Sequence, residues 1–324
     1  MRDRDPVAIV LGDTEDLYDV AEWDARSIID RLSVVIYAVL HGIKRFGLIA
    51  LALLLFVAQL AFAGLLVVEE PRLGFLAALS AVPALLLVAY VWYDDPTRRE
   101  PIDALAITFV LAVLFASFAA AVNSVFQVVF SYVPVIGMAL FFFLVVGPIE
   151  ETVKWLAIRS HAYGRDDFDA VIDGAVYGAV AGLGFATIEN ALYITQGYQA
   201  AAEMAGVTQI ERAIGTATSR AFVGPGHVLY SAFAGYYLGL AKFNRENAGP
   251  IVVKGILIAA LIHATYNTLV TYLPIDNLFL SLGVILGFDL IVGYFLYRKL
   301  SRYTKYYHRA EDESDAMGAT AEDD

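Results

Sequence analysis

Residues 104–130, ALAITFVLAVLFASFAAAVNSVFQVVF, are apolar nearly throughout. About 20 such residues suffice to cross the hydrocarbon core of a bilayer as a helix. Two further runs, Phe46–Val68 and Leu73–Tyr93, read the same way. Following the runs and their breakers along the chain gives eight spans: 46–67, 73–93, 104–130, 135–159, 170–195, 218–241, 251–272 and 278–297. The pattern is that of an all-α polytopic membrane protein with about eight transmembrane helices. Composition agrees: 59% of the 324 residues are hydrophobic and 17% charged, against about 45–50% and 25% in soluble domains.

Ahead of the first span, Leu17–Arg45 mixes charge with a short apolar stretch, Leu32–Ile43. That stretch is too short to span and reads as an N-terminal interfacial helix. The chain thus divides into an acidic N-terminal segment (1–45), an eight-span membrane domain (46–297) and a basic-then-acidic tail (298–324). The net charge of −12, from 34 acidic and 22 basic residues, excludes a basic nucleic-acid binder. Sixteen of the 34 carboxylates lie in 1–45 and 311–324, where solvated tails are expected. Cysteine is absent, which excludes disulfides, thiolate zinc sites and thiol catalysis. Residues 1–30 lack the basic and then apolar pattern of a signal peptide, so an internal span is expected to lead insertion. With both termini in the cytoplasm, 19 Lys and Arg fall inside and three (Arg72, Arg212, Arg220) outside. Positive residues favour the cytoplasmic side, so a multi-pass protein of the plasma membrane in this orientation is expected.

Ionisable side chains inside spans cost at least about 2.5–3.5 kcal/mol on insertion scales, and so point to function. Here they cluster: Glu150, Glu151 and Lys154 on the fourth span; Asp173 and Glu189 on the fifth; Arg220 and His227 on the sixth; His263 and Asn267 on the seventh; Asp289 on the eighth. At 100° per residue, Lys154 can pair with Glu150 or Glu151, and His263 shares a face with Asn267. Gly174, Gly178 and Gly182 form a small-residue stripe that lets a neighbouring helix approach closely, and Glu189 falls within the same stripe. On the sixth span Arg220, Gly224, His227, Ser231 and Gly235 share one arc, with Pro225 expected to kink or interrupt the helix. At 1.5 Å per residue, Glu150 lies roughly 13 Å from the cytoplasmic edge, His263 roughly 19 Å and His227 roughly 21 Å. Glu189 comes out at roughly 28 Å, near the outer face. Asn123 and Gln127 read as packing residues, and Asp289 has no evident partner.

Two carboxylates, two imidazoles and an amide in one cavity suit hydrolysis. A glutamate can take a proton from water while His and Asn stabilise an oxyanion. Alternatively His227, His263 and Glu150 can form a His₂Glu zinc site with a position open to water. Neither H-E-x-x-H nor G-x-S-x-G occurs. Two readings from other classes compete: a proton-coupled transporter, for which no internal symmetry is visible, and a catalytically silent scaffold of the same fold.

The polar set, taken in order, resembles the PrsW-type intramembrane proteases, within the wider CAAX prenyl protease and bacteriocin-processing superfamily. Glu150-Glu151-Thr152-Val153-Lys154 is similar to the family's E-E-x-x-K motif. Asp173-Gly174, Tyr177-Gly178 and the run Gly182 to Asn190 resemble its next block, and Arg220, His227 and His263-x-x-x-Asn267 complete the order. Phe185-x-x-x-Glu189 stands where the CAAX relatives have F-x-x-x-H, and Lys154 stands one position before their arginine, which moves the chain away from prenyl-protein processing. The resemblance implies peptide-bond cleavage in a membrane protein substrate. It implies catalytic roles for Glu150, Glu151, Glu189, His227, His263 and Asn267, with Lys154, Arg220 and Asn190 in support. The family is catalogued with metalloproteases while its relatives favour a glutamate-activated water, so zinc and metal-free chemistry both stand.

The charge asymmetry generates a direct test. Cysteines introduced at Arg2 and Met317, in a chain with no native cysteine, are expected to be protected from an impermeant thiol reagent in intact cells. Labelling of either position would invert or break the topology.

Overall fold

A computed structural model describes residues 5–41, 70–203, 206–273 and 277–322. Their regular elements are all helical. Two helices, α1 (Pro6–Leu11) and α2 (Ile28–His41), precede the bundle. There follow α3 (Pro71–Ser80) and α4 (Val82–Tyr93), α5 (Ile102–Ser131), and α6 (Gly137–Phe141) running through a π-helical turn, Phe142–Val146, into α7 (Gly147–Ser160). The remainder is α8 (Asp173–Ala200), α9 (Gln209–Phe243), α10 (Ala248–Tyr272) and α11 (Leu278–Glu322). Local chemistry explains several starts. Asp5 caps α1, accepting from the Val7 amide at 2.9 Å ahead of Pro6. Thr208 and Glu211 form a reciprocal capping box at α9.

Among the described residues, five helical stretches are long and apolar enough to cross a membrane: Pro71–Tyr93, Ile102–Ser131, Asp173–Ala200, Arg245–Tyr272 and Phe279–Ser314. The expected spans 135–159 and 218–241 are helical as well, but Glu150, Glu151 and Lys154 on one and Arg220 and His227 on the other dilute their apolar character. The first expected span, 46–67, lies outside the described residues. Of the two outcomes expected at Pro225, a kink or an interruption, the second does not occur: α9 is continuous through it, with glycine on either side at 224 and 226. Pro148 is accommodated differently. It sits in the first turn of α7, straight after the widened π turn, and such turns absorb a residue that a regular ladder cannot hold.

The bundle is organised around α8 and α9, which meet backbone to backbone. A methyl group added at Gly174 would sit 2.2 Å from the Gly235 carbonyl oxygen, at Gly178 2.3 Å from that of Ser231, and at Gly182 2.3 Å from that of His227. Gly235 and Gly239 supply matching clearance from the α9 side. On the opposite flank Gly184 admits α5, where an added methyl would lie 2.5 Å from the Phe109 oxygen. Gly147 brings α7 against α10 in the same way, 2.6 Å from the Ala260 oxygen.

The expectation that the acidic N-terminal segment is a solvated tail is corrected. Asp5, Asp19 and Asp30 are drawn in by partners from the far end of the chain. Asp5 accepts from the Tyr303 hydroxyl at 3.0 Å, Lys299 pairs with Asp19 at 2.7 Å, and Lys254 bridges Asp19 at 2.9 Å and Asp30 at 2.6 Å. Burial opposes the charge on Asp30, but Lys254 and Tyr18 more than offset it and hold its pKa down at about 2. Val7, Leu11, Leu17 and Trp23 join Tyr236, Ile251 and Tyr303 in one core. The C-terminal stretch continues α11 as helix to Glu322.

Overpacking a tight contact typically costs about 1–3 kcal/mol. Gly178→Val is therefore expected to lower the melting temperature of the detergent-solubilised protein. Gly283→Val, where a methyl group meets nothing within 4 Å, should leave it unchanged or raise it slightly.

Candidate active site

The π turn and the Gly147 contact set α7 so that Glu150 and Glu151 face α10 one turn beyond Ala260, at His263. The imidazole Nδ1 of His263 lies 3.0 Å from Glu151 Oε1 and its Nε2 lies 3.6 Å from Glu150 Oε2. Lys154, fully buried, donates to Glu151 Oε1 at 2.6 Å, stands 3.1 Å from His227 Nδ1, and lies over the Phe185 ring. Ser231 donates to the other Glu151 oxygen at 3.4 Å. Glu151 is thus enclosed by donors. Glu150 receives one bond, from Asn123 Nδ2 at 2.9 Å, and its Oε2 is buried with no hydrogen-bond partner among the described residues.

The two histidines meet edge to face, ring centres 5.1 Å apart. Their partners fix their tautomers. The Lys154 ammonium can only donate, so His227 Nδ1 accepts and His227 Nε2 carries the proton donated to Glu189 Oε2 at 2.8 Å. Glu151 accepts from His263 Nδ1, which leaves a lone pair on His263 Nε2 facing the orphaned Glu150 oxygen. Glu189 also pairs with Arg220, whose Nε donates to Asn190 Oδ1 at 2.8 Å. Asn190 in turn donates to Ser80 Oγ at 3.0 Å.

Glu150, Glu151, Glu189, His227 and His263, with Lys154, Arg220 and Asn190, therefore occupy one connected cluster. Glu189, expected nearer the outer face where it could close the outer side of the cavity, touches His227 directly. Both residues lie sixteen positions from one end of their helices, at Asp173 and Phe243, or ~24 Å along each axis. Asn267 is half-buried and makes no hydrogen bond among the described residues. Asp173 is remote, at the start of α8. The Asp289 Oδ1 and the Tyr230 hydroxyl converge over Gly226, both without a hydrogen-bond partner among the described residues. Asn123, expected to serve packing, instead holds Glu150. A polar residue in an apolar span was the visible signal, but its rotation toward α7 was not. Tyr230, packed 5.3 Å from the His263 ring, carried no such signal.

A metal can be tested against this donor set. One nitrogen or oxygen each from Glu150, His227 and His263 lie mutually within 4.8 Å. The orphaned Glu150 oxygen and the free His263 lone pair point to the same place, while Glu151 holds the other ring nitrogen of His263 as carboxylates commonly do behind metal-bound histidine. Three carboxylates against Lys154 and Arg220 leave one negative charge in excess, which calls for a cation or a proton. Glu150 and His263 thus present free donor atoms, and His227 would complete a His₂Glu zinc set by exchanging its bond to Lys154 or to Glu189.

The profile of the family described as PrsW family intramembrane metalloprotease matches residues 100–295. Protease PrsW of Bacillus subtilis (strain 168) is 30% identical over 203 residues, covering 59% of this chain and 80% of the relative. Protease PrsW of Geobacillus kaustophilus is 29% identical over 201 residues, 60% and 79% of the two chains, and that of Clostridioides difficile 26% over 194 residues, 58% and 76%. No solved structure matches significantly.

Removing one member of a buried ion pair strands the other, typically at about 3–5 kcal/mol. Lys154→Met is expected to destabilise the protein by that order in denaturant unfolding from micelles. Adding Glu151→Gln to Lys154→Met should restore most of the loss.

Proposed function

The chain belongs to the PrsW family of intramembrane metalloproteases, and we propose that it cleaves membrane-protein substrates within the bilayer with Glu150 as the proton acceptor. The observation that carries this assignment is the asymmetry of the glutamate pair. Glu151 is committed to Lys154, His263 and Ser231, whereas Glu150 Oε2 is free and lies beside a free imidazole lone pair. A water within reach of both can lose its proton to Glu150 as its oxygen attacks the scissile carbonyl carbon. Glu150 then returns that proton to the departing nitrogen as the C–N bond breaks. His227 Nε2–H, donated to Glu189 at rest, would stabilise the developing oxyanion on turning to the substrate, and Asn267 is placed one turn from His263 to assist. Lys154 tunes Glu151 without touching substrate. Arg220 and Asn190 position Glu189.

In the metal-dependent alternative, Glu150, His227 and His263 would hold zinc instead of acting as free base and N–H donor. Bound there, the ion supplies Lewis-acid polarisation of the carbonyl. Around this centre we place eight spans, adding the apolar run 46–67 to the seven described stretches, in a domain running from 46 to 297. The α2 helix then lies at the membrane surface, and both termini are in the cytoplasm of a plasma-membrane protein.

A general base contributes typically 10²–10⁴-fold. Glu150→Gln is expected to abolish cleavage by that order, with the substrate precursor accumulating in a membrane proteome compared against wild type. Glu151→Gln should retain partial activity. Activity lost to a membrane-permeant chelator and restored by zinc would favour the metal centre, and indifference to it would favour the bare glutamate. Full activity in the Glu150→Gln, Glu151→Gln double variant would remove the mechanism.

A further inference from the structure

A second buried carboxylate cluster lies far from the proteolytic one. Asp95 and Glu100 come from the loop between α4 and α5, and Asp173 begins α8, sixteen residues or ~24 Å along the helix from Glu189. One oxygen of each lies within 4.8 Å of the others. The loop and the helix start are built to hold them. Asp95 Oδ1 accepts from the Thr97 amide and hydroxyl, both at 2.7 Å. Asp173 Oδ2 accepts from the Asp169 and Ala170 amides at 2.7 and 2.9 Å. Thr97 links the two sides through Asp173 Oδ1 at 3.2 Å.

What these bonds leave over is informative. Glu100 is 1% exposed, and neither of its carboxylate oxygens has a hydrogen-bond partner among the described residues. The Asp95 Oδ2 is likewise buried and unpartnered, as is the hydroxyl of Tyr177, one turn along α8 from Asp173. No lysine or arginine among the described residues pairs with any of the three carboxylates. The nearby Lys242 ammonium donates instead to the Arg165 carbonyl at 3.0 Å. Three carboxylates removed from water with no counter-ion are untenable as such. Oxygens of all three lie within 4.8 Å of one another, and the unpartnered ones belong to Asp95 and Glu100.

We propose that Asp95, Glu100 and Asp173 bind a hard divalent cation, Ca²⁺ foremost, that ties the α4–α5 loop to the start of α8. An all-oxygen donor set excludes a soft-metal preference. Both Glu100 oxygens are free for bidentate ligation, which suits the larger and more flexible coordination shell of Ca²⁺. The ion closes the end of the same helix that carries Glu189 and the glycine seam, so it braces the scaffold of the active site without taking part in it.

The test uses the full-length protein in detergent, stripped with EGTA and titrated with Ca²⁺ and separately with Mg²⁺. Equilibrium binding and thermal unfolding are the readouts. Wild type is expected to bind one Ca²⁺ per chain and to melt roughly 5 °C higher at a hundredfold excess over Kd. Glu100→Gln and Asp95→Asn are expected to lose both responses, while Glu150→Gln keeps them, which separates this site from the proteolytic centre. Because Glu100→Gln removes charge from a dry pocket, it should fold. A wild-type protein indifferent to both ions, with Glu100→Gln melting higher, would place a proton in the pocket and overturn the proposal. Equal binding by wild type and Glu100→Gln would overturn it too.

Discussion

The arrangement of the active site depends on how closely α8 and α9 approach. With Gly174, Gly178 and Gly182 on one helix and Gly235 and Gly239 on the other, carbonyl oxygens of each stand where the other would need a side chain. Lipid gives no hydrophobic drive to associate helices, so packing this close supplies van der Waals contact that larger residues could not. The seam also sets register. Gly182 abuts the His227 carbonyl, and Glu189, two turns further along α8, then meets the His227 side chain. One steric fact thus joins two helices and aligns two functional groups.

Charge is distributed around that seam in an unequal way. Glu151, Lys154 and the Glu189–Arg220–Asn190 group are saturated with partners, and they hold both imidazoles in defined tautomers. Glu150 is held from one side by Asn123 and left open on the other. A saturated network is rigid, and a single unsatisfied oxygen within it is where a reactant or an ion is most favourably received. The same contrast between satisfied and orphaned oxygens recurs at Asp95, Glu100 and Asp173, at the other end of α8.

The helical, membrane-spanning character of the chain was legible in the sequence, because apolar length and helix period are local properties; five of the described stretches are long and apolar enough to cross. The polar cluster was legible for a related reason. Glu150, Glu151, His227 and His263 stand out where ionisable groups are costly. Depth was less secure, because it is counted from an assumed helix start, and that helix begins at Asp173 rather than at residue 170. Asn123 was visible as a polar residue, but nothing local says which neighbour it turns toward.

The acidic N-terminal segment shows the limit most clearly. Asp5, Asp19 and Asp30 look solvated in sequence, since their partners Lys254, Lys299 and Tyr303 lie more than 200 residues away. The sequence by itself determined an all-helical membrane protein, its family motifs and the residue types available for hydrolysis, because composition and periodicity act over a few turns. Only the tertiary structure decided which glutamate is spent on Lys154 and which is left free, and which carboxylates are buried together. Those outcomes depend on distances between helices, and the distances are set by packing across the whole bundle.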